Sequence, residues 1–208
     1  MGSEMSGGVK NVLVRNCRFA GTDVGLRFKS TRGRGGVVEN IWIENITMND
    51  IATEALLFDL FYGGKSALEA LEDGDGNAST DMPFRPVDET TPQFRNITID
   101  NVVCRSARRA MLFNGLPEMN VENVVVTNSI IEAEVGAEIN ESTNVRLEGV
   151  TIVPHKGAAL KINNAKNVVV EKFVCPEGTK GLEVTGSRNE NITCLLYTSP
   201  SPRDATLS

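Results

Sequence analysis

Seven times in this chain an asparagine opens the same short pattern: Asn, aliphatic, any residue, aliphatic. The copies are KNVLVRN at 10–16, ENIWIEN at 39–45, RNITIDN at 95–101, ENVVVTN at 122–128, TNVRLEG at 143–149 and KNVVVEK at 166–172, with a shortened ENIT at 190–193. The leading asparagines are Asn11, Asn40, Asn96, Asn123, Asn144, Asn167 and Asn191, spaced by 29, 56, 27, 21, 23 and 24 residues. A period of this size is the signature of a solenoid, in which each repeat supplies one coil. The spacing of 56 holds a long insertion.

Each repeat carries a second short strand. Leu26, Leu56, Met111, Ala137, Leu160 and Leu182 lie 14 to 16 residues after their asparagines, and Phe28, Phe58, Phe113, Ile139, Ile162 and Val184 follow two residues later. Period-2 alternation is the mark of a strand, and the Gly, Asn and Asp clusters between strands supply turns. Strands too short to bury a face alone must stack like on like. The expected fold is therefore all-β: a right-handed, single-stranded parallel β-helix, with aliphatics stacked inside and asparagines laddered at equivalent turns. The NIT sequons at Asn45, Asn96 and Asn191 fall on these turns and read as ladder positions, not glycosylation sites. The LxxLxLxxN spacing of a leucine-rich repeat is missing. Helical periodicity is confined to KSALEALED at 65–73.

The chain of 208 residues suffices for one core. A formal net charge of −6 argues against nucleic acid as a partner. No apolar run is long enough to span a bilayer, and MGSEMSGGVKN has the form of no secretory signal, so no membrane contact is expected. Cys17, Cys104, Cys175 and Cys194 form no CxxC pair; they read as free thiols, with no metal site. Within the insertion at 63–95, DGDGNAST lacks the glycine and glutamate of a calcium loop, since Ala78 and Phe84 stand at those positions. No cofactor is expected.

Against this acidic background, GTDVGLRFKSTRGRGG at 21–36 holds Arg27, Lys29, Arg32 and Arg34. Alternation sends Leu26 and Phe28 to the core and leaves Arg27 and Lys29 side by side on the outer face. Arg32 and Arg34, in a Gly-rich turn, read as ordinary solvated charges. GSEMSGGVKNVLVRNCRF followed by GTDVGLRFKSTRGRGGVVENI closely resembles polygalacturonases of glycoside hydrolase family 28. Arg27-Phe28-Lys29 matches that family's Arg-Ile-Lys motif. The resemblance implies a pectin-degrading β-helix that hydrolyses galacturonan with inversion. It implies that Arg27 and Lys29 hold a substrate carboxylate, the arginine as a planar fork and the lysine as a point charge. It also places Tyr62, in LFDLFYGG, at about the position of an active-site tyrosine one coil later.

An inverting glycosidase needs an acid and a base about 6.5–9.5 Å apart. The family carries them in Asn-Thr-Asp and Asp-Asp motifs, with a Gly-His-Gly nearby, all preceding GSEMSGG. None occurs in this chain, and its one histidine, His155, reads as a turn residue. No catalytic residue is therefore assigned; the aspartates and histidine are expected upstream of Met1. The chain is expected to be an N-terminally truncated, inactive fragment of a parent that is secreted or periplasmic, since pectin is too large to import, and monomeric when full-length. Residues 194–208, CLLYTSPSPRDATLS, resemble the translation of a sequencing adapter; a disordered tail is the alternative. Residues 1–193 then form one partial β-helix domain. A non-catalytic β-helix binding anionic polysaccharide is the competing function. Rhamnogalacturonan or xylogalacturonan hydrolysis are variants of the first. Pectate lyase chemistry is disfavoured, because the outward set Arg27, Lys29, Leu57 and Asp59 offers no acidic calcium cluster.

Overall fold

The structure, a computed structural model, describes residues 1–61 and 83–199. Its elements are β1 (Val9–Ala20), β2 (Leu26–Lys29), β3 (Val37–Asp59), β4 (Gln93–Asn114), β5 (Val121–Thr127), β6 (Ile130–Asn140), β7 (Ser142–Glu148), β8 (Thr151–Asn163), β9 (Lys166–Pro176), β10 (Leu182–Thr185) and β11 (Glu190–Ser199). The described residues contain no helix, so the fold is all-β. The segment at 65–73 and the acidic loop at 73–80 lie outside the described residues.

The repeat asparagines predict the pairing directly. Val12, Ile41, Ile97, Val124, Val145, Val168 and Ile192, each next to its repeat asparagine, pair in one parallel row. Leu26, Leu56, Met111, Ala137, Leu160 and Leu182 pair in another. Each coil thus lies in register on the coil before it, with inward side chains stacked on their own kind.

The coils hold one more flat segment than the sequence pattern suggests. A strand as long as β3, 23 residues, cannot run straight through this fold. It bends at Asn40, Asn45 and Asp50, which have φ of 57°, 57° and 55°. Asn and Asp enter this left-handed region more readily than other non-glycine residues, so each serves as a corner. The first corner opens one sheet segment (12–15 in the first coil, 41–44 in the second). The next opens a second segment, 17–20 and 46–49. A third, 26–29 and 56–59, closes the coil. Asn11 and Asn16, Asn96 and Asn101, and Asn123 and Asn128 repeat the pair of corners, all with positive φ.

At the first corner the side-chain amides form an unbroken ladder. Asn40 donates to Asn11, Asn96 to Asn40, Asn123 to Asn96, Asn144 to Asn123, Asn167 to Asn144 and Asn191 to Asn167, at 2.9–3.4 Å. At the second corner Asn45 donates to Asn16 and Asn101 to Asn45. The three sequon asparagines all donate their amide to the preceding coil.

Inside, the core runs from Met5 to Cys175. It is aromatic behind the third segment: Phe28 stacks on Phe58 with centroids 4.5 Å apart and planes 4° apart, and Phe113 meets Phe58 edge-on at 4.6 Å. All three rings are buried. The four cysteines are free, Cys104 and Cys175 buried. At the far end β11 pairs with β9 from Glu190 to Ser199, and the register shifts between Cys194 and Leu196.

Candidate substrate-binding site

β2 is four residues long, and its burial alternates: Leu26 and Phe28 are buried, Arg27 and Lys29 half-buried on the opposite side. The inward pair fixes the strand, because Phe28 lies flat on Phe58 while the backbone pairs with 56–59. Arg27 and Lys29 are thereby held on the outer face of the third sheet, two residues and about 6.6 Å apart along the strand. Their combined field is felt locally: burial, then Arg27, then Lys29 depress the pKa of the Met1 amine, which donates to the Arg27 carbonyl at 2.5 Å.

The next coils continue the face. Leu57 lies beside Arg27, and Asp59 beside Lys29. One Asp59 oxygen accepts from the Phe61 amide at 2.8 Å and from Asn114 at 3.3 Å. Lys29 thus begins a polar row: Asp59, Asn114, Asn140, Asn163 and Thr185, one per coil. Asn114, Asn140 and Asn163 are buried although they point outward from the coil. Sequence reasoning missed this row. Its signal was a polar residue directly after each inward Phe or Ile, in FD, FN, IN and IN.

Arg32 and Arg34 are not the free solvated charges anticipated for this turn. Arg32 forks onto Glu118, its Nε donating to Oε1 at 2.6 Å and its Nη2 to Oε2 at 2.9 Å, with the guanidinium 5.5 Å from the Phe61 ring centre. The Glu118 side chain is only 4% exposed. Burial raises its pKa, but the Arg32 hydrogen bonds, backbone amides and charge outweigh this and leave it below the ordinary carboxylate value. Arg34 pairs with Glu4. Both arginines are engaged at the turn, whereas Arg27 and Lys29 lie on the outer face of the sheet.

Tyr62 lies outside the described residues. His155 is not in a turn; it sits in β8, with Nε2 3.2 Å from Glu132, away from the third sheet. It lines a separate hollow with Ser106, Arg108 and Glu134. Among the described residues no group of three or more His, Cys, Asp or Glu side chains is placed to hold a metal ion.

Stacked parallel coils with a cation pair on one sheet face define the fold class, an all-β parallel solenoid. Residues 1–101, which contain that pair, match the model described as Glycosyl hydrolases family 28. It is 22% identical over 151 residues to a protein named "Probable polygalacturonase" from Vitis vinifera, covering 73% of this chain and 27% of the relative. It is 44% identical over 66 residues to a "Polygalacturonase" from Ralstonia solanacearum, covering 30% of this chain and 12% of the relative. The chain thus spans about a quarter or less of the length of the curated relatives it matches. No solved structure matches it.

Proposed function

We propose that this chain is part of a polygalacturonase-like hydrolase that cleaves the galacturonan of pectin with inversion, and that Arg27 and Lys29 grip a galacturonate carboxylate beside the scissile bond. The observation that carries the reading is the pair itself: two cations, outward, on a strand locked by an aromatic stack, inside the segment that matches the family. A fixed positive pair discriminates for a uronate by charge, and the guanidinium fork adds orientation. Tyr62 is the third substrate contact in this reading. The acid and base belong to parts of the parent preceding Met1, so the 208 residues alone bind without hydrolysing. Residues 1–193, with the insertion at 63–95, are one domain wound right-handed, the hand that parallel crossovers nearly always take. Residues 194–208 are not part of that domain in this reading, although Cys194 to Ser199 pair with β9. The parent works outside the cytoplasm, in periplasm or medium, as a monomer without cofactor.

Arg27→Ala in the full-length parent should lower kcat/KM on polygalacturonate roughly 10- to 150-fold, the worth of a charge-assisted hydrogen bond of about 1.5–3 kcal/mol. The melting temperature should stay put. Unchanged kcat/KM would remove Arg27 from the site. An NMR spectrum of the first product formed should show the inverted anomer.

A second reading is favoured by one observation. The chain holds the cation pair but none of the Asn-Thr-Asp, Asp-Asp or Gly-His-Gly motifs. A β-helix that binds anionic polysaccharide without cutting it fits that pattern. Reading the gene upstream of Met1 separates the two, since those motifs in frame exclude the binder.

A further inference from the structure

The second sheet carries a separate cleft of about 650 Å³ that the hydrolase reading does not use. Its rim is built from three coils. Arg18 pairs with Thr47, and Thr47 with Val103; one alternation further on, Ala20 pairs with Asn49, and Asn49 with Arg105. Arg18 and Arg105 therefore sit at diagonal ends of the cleft, two strands and two residues apart, about 12 Å between Cα atoms. Both are exposed, and neither has a hydrogen bond, ion pair or ring contact among the described residues. Most other arginines on this molecule are engaged: Arg32 with Glu118, Arg95 with Glu39, Arg146 with Glu148 and Glu171. The acid that follows Ile131 in the next coil, Glu132, is already held by His155.

Between the two guanidinium groups lie neutral hydrogen-bonding groups. These are the Thr47 hydroxyl and the Asn49 amide, which have no side-chain partner among the described residues; Asn16, which accepts from Asn45, lines the cleft on the far side of Arg18. The arrangement is thus charge, then a hydroxyl and an amide, then charge, along a shallow trough.

We infer that this cleft is a second binding site, distinct from the Arg27–Lys29 face, for an acidic oligosaccharide. A compact anion such as phosphate gathers cations around one point, whereas these two stand apart. A glycan with a carboxylate on each ring and hydroxyls between presents the matching sequence of groups. Nucleic acid is disfavoured by the formal net charge of −6. The choice of galacturonate as the acidic sugar rests on the hydrolase reading; the existence of the cleft does not. Such a site would hold a polymer strand to the flank of the coil while the other sheet engages a second stretch, raising its local concentration there.

Calorimetric titration of the 208-residue chain with a defined oligogalacturonate tests the inference. Arg27→Ala with Lys29→Ala should leave a measurable site; adding Arg18→Gln and Arg105→Gln should weaken that remaining site at least tenfold. On the wild-type chain, the methyl-esterified oligomer, which lacks the charge, should bind at least tenfold more weakly. Affinity within twofold after the Arg18 and Arg105 changes, or equal binding of the ester, overturns the second site. Loss of all binding with Arg27→Ala and Lys29→Ala also overturns it and leaves the hydrolase reading standing. Survival of all binding in that variant, lost only with Arg18 and Arg105, supports the cleft and counts against Arg27 and Lys29 as the clamp.

Discussion

Arg32 and Arg27 lie five residues apart, and the fold gives them opposite tasks. Arg32 is turned into the molecule, where its fork satisfies a buried Glu118. Removing it leaves a desolvated carboxylate without its cation, so Arg32→Ala should cost about 1.5–3 kcal/mol of stability. The folded molecule holds the Glu118 pKa below its ordinary value, so the pair stabilises above that value and the contribution disappears as pH falls through the folded one. Thermal melts should therefore show the full gap between wild type and Arg32→Ala at pH 7, narrowing below about pH 4.5. A gap independent of pH would mean that Arg32 acts through packing on Phe61 alone. Sequence order could not separate these arginines. Alternation along β2 located Arg27 and Lys29 on the outer face, but Arg32 finds its partner 86 residues away, two coils on. No local pattern encodes a contact of that range.

The corner asparagines govern the fold one coil at a time. Asn123, at φ 54°, donates to Asn96 and accepts from Asn144. Replacement by alanine removes both rungs, about 0.5–1.5 kcal/mol each at most in this exposed position, and leaves in left-handed backbone a residue without the short polar side chain that lets asparagine adopt it, up to about 1–2 kcal/mol. Glycine removes the rungs and relieves the strain. Urea denaturation should accordingly find Asn123→Ala less stable than wild type by about 2–5 kcal/mol, and Asn123→Gly less affected than Asn123→Ala. Equal losses would show that the rungs alone matter. The repeat made this ladder legible, because the first asparagine of every copy is spaced by one coil. The second corner was equally present in the letters, five residues on, at Asn16, Asn45, Asn101 and Asn128. It went unread because an aliphatic alternation that continues through a corner looks like one longer strand. The buried Asn114, Asn140 and Asn163 escaped for a related reason, since an outward position in a strand is taken to be wet until the neighbouring chain is known.

At the scale of the whole molecule, the stack has unequal ends. Val12, Val14, Cys17 and Phe19 in β1 point inward yet are only half-buried, whereas the residues above them in the next coil, Ile41, Ile43, Ile46 and Met48, are at most 1% exposed. β1 also ends the strand order, with its pairing on one side given to β3. A sheet edge with open hydrogen-bonding groups over apolar side chains is a template for another chain, and a solenoid without a polar cap on its end coil is poorly soluble. The 208-residue chain alone should therefore self-associate end to end, with a sedimentation coefficient that rises with concentration. Val14→Lys places a charge in the half-open end without entering the closed core, and should shift the chain toward monomer while leaving its circular dichroism unchanged. If the unmodified chain sediments as one species at every concentration, the end coil is shielded in solution and the argument from β1 fails. If Val14→Lys associates as readily as the parent, the contact lies elsewhere, and the exposed Leu13 and Trp42 on the first sheet become the surface to alter next.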